Sequence, residues 1–307
     1  MSLTRRILPG RTYLVTRRCA RRCFLLKPVP RLRAIVSFVF CHAASLFGIE
    51  VHAVVWLSNH WHLVCTDPRG VLPKFMHLVG TLTARALNAH WGRGENFWAP
   101  GSYSAVELLD RAAILDKMVY TIVQAVEAGL VRRPELWPGL HTTAKDVGTQ
   151  RLWGSRPDFL FRKKSLLPES ASIRITKPRA FNDMSDAEFR NLLGELVEKR
   201  IEAIHARRKQ EGKTRFLGRR AVMQQDPFDS AGDVFPDRGR DPCLSCKDPE
   251  TYKSERRALT VWRQKQRECW ELWRHGKRDV VFPAGTYLMR EVYKVRCGEP
   301  PPTLLAA

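Results

Sequence analysis

No aspartate or glutamate occurs before Glu50, although arginine and lysine recur from Arg5 to Arg33. Acidic residues stay scarce along the whole chain, with 31 Asp and Glu against 52 Lys and Arg, a formal charge of +21 and a pI of about 10.1. Folding does not require so large an excess of one sign, and a merely solvated, charge-balanced surface does not produce it. It points to a polyanionic partner, most simply nucleic acid. Long hydrophobic runs are also lacking. The apolar stretch from Ala34 to Phe47 is too short to span a bilayer and contains His42, and the N-terminus has no signal-peptide pattern. The expectation is a soluble, cytoplasmic protein with no membrane partner. The eight cysteines form no evenly spaced framework, and Cys41, Cys65 and Cys269 lie inside apolar patterns, as buried reduced thiols do. Cys243-Leu244-Ser245-Cys246 is a solitary C-x-x-C. Cys19 and Cys23 would make it an unusual zinc set, so a loop is the preferred reading there.

The 307 residues allow one large domain or two smaller ones, and 44% apolar content suffices for a normal core. Thr12–Thr16 follows the turn signal Pro9-Gly10 and reads as a strand; the loop after it carries Arg17, Arg18, Arg21 and Arg22. Pro30 introduces a helix over Arg31–Phe47 that stops at Gly48. Val51–Leu57 and His60–Thr66 should pair as a tight hairpin about Ser58-Asn59. A second helix is expected over Leu72–Trp91, a fourth strand over Tyr103–Leu108, and a third helix over Arg111–Gly129. The order βαββαβα is that of an α+β fold, a ferredoxin-like antiparallel sheet with helices on one face. Residues 141–184, with Lys163 and Lys164, read as a basic connector. Residues 185–307 read as a mainly helical basic region: a helix capped by Ser185 and Glu188, a basic, loop-like stretch over 205–247, and a helix capped by Asp248-Pro249. Asp279–Arg290 closes it as strand, turn and strand. The helical spacing of Trp262, Trp270 and Trp273 favours core positions over base-stacking platforms.

Candidate chemistry begins at His60-Trp61-His62. Alternate strand residues share a face, so the two imidazoles project together while Trp61 points away, and together they can hold a metal ion. Tyr120 and Gln124 lie one turn apart on one face of the third helix, a spacing that sets a nucleophile beside a metal ligand. Each pair alone has an ordinary structural reading: polar residues on a half-buried strand, or packing plus a hydrogen bond. Together they suit phosphodiester cleavage, with a divalent ion on His60, His62 and Gln124 and the Tyr120 oxygen as nucleophile. The base that would take the phenol proton is not identifiable from the sequence.

At these positions the chain resembles the single-tyrosine HUH transposases, and within them the REP-associated tyrosine transposases. The resemblance runs from about Pro9 to Val131. It rests on Thr12-Tyr13-Leu14-Val15-Thr16, Leu57-Ser58-Asn59-His60-Trp61-His62, Phe97-Trp98, and Tyr120 continuing to Ala128-Gly129-Leu130-Val131. It implies a HUH domain over 1–140 that cuts single-stranded DNA at hairpin-bearing sites, REP-like or insertion-sequence ends. Cleavage would use Mg²⁺ or Mn²⁺ and leave a 5′-phosphotyrosine and a free 3′-hydroxyl. The protein would act as a transposase or a domesticated REP-element transposase, monomeric or homodimeric, at the nucleoid. Ser58 stands where relatives often have Pro, and Gln124-Ala125 where REP-associated members have Asn-Pro, a Tyr-x-x-x-Gln pattern of insertion-sequence enzymes. Gln225–Asp229 and Val281–Tyr287 resemble C-terminal extensions of larger transposase-like proteins.

Arg17, Arg18, Arg21, Arg22, Lys163 and Lys164 are the expected DNA contacts. The catalytic groups all precede residue 131, so the region from about 150 is expected to add backbone contacts to DNA and nothing to the chemistry. Two rivals remain: a nucleic-acid-binding protein derived from a transposase that has lost cleavage, and a metal hydrolase using water. No Asp or Glu of suitable spacing accompanies the histidines, which tells against the second.

Overall fold

Alternation along one strand organises the molecule. The computed structural model describes residues 4–101, 103–162, 164–232 and 243–301. Its main sheet is built from β1 (Arg11–Arg18), β2 (Glu50–Trp56), β3 (His60–Asp67) and β4 (Ser104–Leu108) in the order β2-β3-β1-β4, every pairing antiparallel. This is the ferredoxin-type order expected from the βαββαβ succession. A fifth strand, β7 (Leu244–Ser245), joins β4 in parallel and makes the sheet mixed.

Trp61 points to the face covered by α1 (Pro30–Phe47) and α2 (Leu72–Trp91). There it stacks on Trp56 with centroids 4.8 Å apart and meets Phe40 of α1 edge-on at 6.3 Å; Phe40 in turn meets Phe75 of α2. These apolar rings are fully desolvated, and removing one such side chain costs about 3–5 kcal/mol. The core thus locks the strand whose other face carries the histidines. The two crossover helices share one face, as expected. The third, α3 (Arg111–Glu127), lies over the other face, where the ring of Tyr120 meets His62.

The C-terminal half packs into the same core rather than standing apart. A hairpin of β5 (Arg151–Ser155) and β6 (Ser170–Arg174) lies on α1 so closely that a Cβ at Gly154 would come within 2.4 Å of the Phe38 backbone nitrogen. The helix α4 (Asp186–Gln210) packs along α3 and buries Phe189, Leu193, Val197, Ile201 and Ile204 in the main cluster. Then follow α5 (Arg219–Gln224), α6 (Pro249–Arg274) and α7 (Tyr287–Glu291).

Several sequence expectations need correction. Arg17 and Arg18 are the last residues of β1, because pairing with Trp61 and His60 extends the strand beyond Thr16. The stretch 205–247 is less loop-like than its composition, since α4 runs to Gln210 and α5 follows. Cys243–Cys246 is an edge segment whose middle residues hydrogen-bond to β4, and its sulfurs contact Arg263 and Asp110. Residues 287–291 are helical, because the turn at Pro283–Thr286 redirects the chain and Arg290 N bonds Thr286 O. Trp262 is buried and Trp270 and Trp273 half-buried in small clusters, so packing is their role.

Buried His52 ties the chain after β6 to the sheet. Its Nδ1 donates to the Thr176 carbonyl at 2.8 Å, and its Nε2 accepts from the Thr66 hydroxyl at 2.8 Å, a fully satisfied neutral ring. Burial lowers its pKa from 6.5 to about 4. The unfolded chain therefore takes up a proton below pH 6.5 that the folded chain refuses until about pH 4, and acid favours unfolding across that window. Between pH 7 and 5 the wild type should lose about 2 kcal/mol more stability than His52→Gln, measured as urea midpoints. Equal losses would place the acid sensitivity in other groups.

Candidate active site on the histidine face of the sheet

The turn that carries the histidines is pinned by the arginine-rich segment. Leu57 N bonds His60 O at 2.8 Å to close the hairpin, Cys19 N bonds Asn59 O at 2.8 Å, and Leu26 N bonds Ser58 O at 2.8 Å. Between these anchors Arg21 and Arg22 adopt the left-handed conformation, with φ of 50° and 57°. Two successive non-glycine residues there cost free energy, which the surrounding bonds offset; such strain concentrates at functional sites. Phe97 and Trp98 pack beside the same segment, through Ala20 N to Phe97 O at 2.9 Å and the Arg17 guanidinium 5.8 Å from the Trp98 ring.

His60 and His62 lie side by side with ring centroids 4.9 Å apart. The Asn59 amide nitrogen donates to the Arg22 carbonyl at 3.2 Å, which turns its oxygen toward His60 Nδ1 at 2.6 Å. An amide oxygen only accepts, so the His60 proton sits on Nδ1 and Nε2 presents a lone pair. His62 Nδ1 is bonded to Thr16 Oγ1 at 2.8 Å, directly across the β1–β3 ladder, while its buried Nε2 has no hydrogen-bond partner among the described residues. Burial, then the positive charge of Arg18 and Arg22, lowers the His60 pKa to about 4; burial, then His60 and Arg18, holds His62 well below its ordinary value. Both rings are neutral at physiological pH, as metal-ligating imidazoles are.

The phenol ring of Tyr120 lies 5.3 Å from the His62 ring, edge to face. Burial raises its pKa above 10, an effect opposed by Arg18 and by a hydrogen bond from Gln124, one turn further along α3. An amide N–H given to the phenol oxygen leaves the Gln124 carbonyl oxygen available as a donor, and this side chain is itself buried. No group of three or more His, Cys, Asp or Glu side chains suited to a metal occurs among the described residues. The orphaned buried Nε2 and the second neutral imidazole beside it fit one divalent cation, to which the amide oxygen on α3 would be a further donor.

The remaining expected contacts divide. Arg18, opposite His60 across the ladder, acts electrostatically on both histidines and on Tyr120. Arg21 is exposed and Arg22 half-buried beside the turn. Arg17 instead points to Trp98 and donates to the Gly101 carbonyl at 2.9 Å. Lys164 is exposed in the loop between β5 and β6, a hairpin that packs on α1, across the sheet from the histidines; Lys163 lies outside the described residues.

Two solved structures are similar to the chain. One, described as a REP-associated tyrosine transposase bound to a REP hairpin, is 19% identical, with a TM-score of 0.41 over 58% of this chain and 94% of that one. The other is described as a "putative transposase from deinococcus radiodurans r1" and is 18% identical, with a TM-score of 0.26 over 34% of this chain and 85% of that one. Both neighbours are described as transposases. No family model and no curated protein matches the chain.

Support for the site also comes from beyond residue 131, which the sequence did not signal. Gln225, in the segment after α5, accepts from the Ser58 hydroxyl at 3.5 Å, and its carbonyl accepts from Lys27 at 2.9 Å. Asp229 O accepts from Phe24 N at 3.0 Å, so the Gln225–Asp229 stretch braces the arginine segment. On the tyrosine helix, Glu127 pairs with Arg207 of α4 at 2.5 Å and Asp116 with Arg200 at 3.4 Å.

Proposed function

We propose that this protein cuts and rejoins single-stranded DNA at hairpin-bearing ends through a covalent 5′-phosphotyrosine on Tyr120, as a transposase or a domesticated relative working at the nucleoid in the cytoplasm. The observation that carries the reading is the buried, unpartnered Nε2 of His62, beside a second neutral imidazole and against the Tyr120 ring. His60, His62 and Gln124 would hold Mg²⁺ or Mn²⁺, which neutralises charge on the scissile phosphate as a Lewis acid. Tyr120 forms the new O–P bond as the P–O3′ bond breaks; the phenol loses its proton and the departing 3′ oxygen gains one. One phosphoester replaces another, so a 3′-hydroxyl can reverse the step without a nucleotide cofactor. Arg18 favours the phenolate and is suited to receive the phosphate. The contact of Tyr120 with His62 of the same chain supports action within one subunit, as a monomer or within a homodimer.

With either metal, a 3′-labelled hairpin-bearing strand should become attached to the protein in denaturing gels, while a 5′-labelled strand yields a free shortened fragment. No adduct from either strand would overturn the proposal. The raised phenol pKa, set by burial, favours the second reading, DNA binding without cleavage; the same gels separate the two. Asn59→Ala removes the acceptor that sets the His60 tautomer and should weaken metal dependence about 10- to 100-fold. An unchanged metal titration would exclude that role.

A further inference from the structure

A second basic surface lies apart from the histidines. A cavity of about 640 Å³ opens between the turn after α3, the start of α1 and residues 215–219, with Arg33, Arg132, Arg215 and Arg219 in its wall beside half-buried Phe216. It continues, through Arg33, Pro138 and Arg219, into a cleft of about 300 Å³ that ends at Trp153 on β5. Trp153 is 61% exposed, an unusual position for so large an apolar ring.

Some arginines pair with carboxylates, as Arg111 does with Asp183, Arg133 with Glu198 and Arg179 with Glu50. Among the described residues none of the four groove arginines forms a salt bridge, and the carboxylate in the wall, Glu135, pairs with Arg133. Cations without a carboxylate partner along a groove that reaches an exposed ring are the elements of a single-strand track: guanidinium groups follow the phosphates and bases stack on the Trp153 ring, while Phe216 at the other end holds the Arg208 and Arg132 guanidiniums at 4.6 and 5.6 Å.

The groove is joined to the candidate active site by its own wall. Val222 of α5 packs with Leu57, beside the Ser58-Asn59 turn, and with Ala125, beside Gln124. Immediately after α5, Gln225 meets Ser58. A strand leaving the histidine face need pass only this short helix to enter the groove.

We propose that the groove from Phe216 to Trp153 binds single-stranded DNA, holding a segment of the strand next to the one cleaved. The inference extends the cleavage reading and rests on it for the choice of DNA, but its test does not need cleavage. Full-length Tyr120→Phe protein without added metal is titrated with a labelled thymidine 15-mer at several salt concentrations. Trp153→Ala should weaken binding about tenfold and Trp153→Phe should restore most of it. Arg33→Ala with Arg219→Ala should lower the salt slope by about 1.4, the value for two phosphate contacts on a single strand. All three sites are exposed, so circular dichroism spectra should match the parent. Unchanged affinity in Trp153→Ala, or an unchanged slope in the double variant, would overturn the proposal. So would polyglutamate competing as well as the oligonucleotide, which assigns the groove to an acidic peptide, or a uridine 15-mer binding far more tightly, which assigns it to RNA. If these effects appear but the wild type forms no covalent adduct, the cleavage reading fails and the groove stands. If adducts form and the groove variants bind normally, the reverse holds.

Discussion

Tyr120→Phe should abolish strand cleavage, by at least about 10³-fold, while leaving single-strand affinity within about twofold. The substitution deletes one oxygen. It keeps the ring that meets His62 and loses a single hydrogen bond with Gln124, worth about 1 kcal/mol in a half-buried site. Because burial lifts the phenol pKa above 10, little phenolate is present at neutral pH, and wild-type cleavage should accelerate as pH rises from 7 toward 9. Single-turnover rates on one labelled hairpin-bearing strand test both statements. A Phe variant that cuts at the wild-type rate would remove the tyrosine from the mechanism, and a flat pH profile would mean that phenol ionisation does not limit the step.

His62→Ala should eliminate metal-dependent cleavage as completely as a chelator does, with His60→Ala close behind. His62 would contribute the buried nitrogen that has no hydrogen-bond partner among the described residues, and Thr16 fixes its ring from the neighbouring strand. Gln124→Ala should lose less, since an amide oxygen is a weaker donor than imidazole toward the softer of the candidate ions. Folded-state protonation of His60 begins only near pH 4, so metal affinity should stay flat from pH 7 to about 5.5 rather than falling with an ordinary histidine pKa of 6.5. Isothermal titration with Mn²⁺ and cleavage rates in parallel would decide the matter. Metal binding by His62→Ala equal to that of the wild type would refute the assignment.

Removing the C-terminal region is a poor test of what it contributes. The sequence placed every candidate catalytic group before residue 131 and suggested an extension concerned with DNA alone. In the structure α4 supplies five buried apolar side chains to the main core and covers the tyrosine helix, so truncation strips the core as well as any DNA contact. Each such side chain contributes roughly 2–5 kcal/mol, comparable in sum to the stability of a whole domain. Point substitutions in the groove avoid this difficulty.

Local pattern by itself determined the elements and their order: the apolar periodicity of α1, α2 and α3, the alternation that turns His60 and His62 to one face, the tight hairpin at Ser58-Asn59, and the helical spacing of Tyr120 and Gln124. These features depend on neighbours within a few residues, which is the range over which backbone sterics and periodicity act. Only the tertiary structure decided what depends on distant residues. It carried β1 on through Arg18, because the ladder with β3 continues, and so brought a guanidinium to the histidines. It set α3 across the sheet from α1 and α2, turned the Asn59 oxygen to His60 through a carbonyl contributed by Arg22, and used Gln225 to brace a turn far earlier in the chain. It also left Trp153 exposed at the end of an arginine-lined groove. Strand alternation could not foresee that, because the opposite face of β5 is pressed against the α1 backbone at Gly154 and leaves the tryptophan only the outer side.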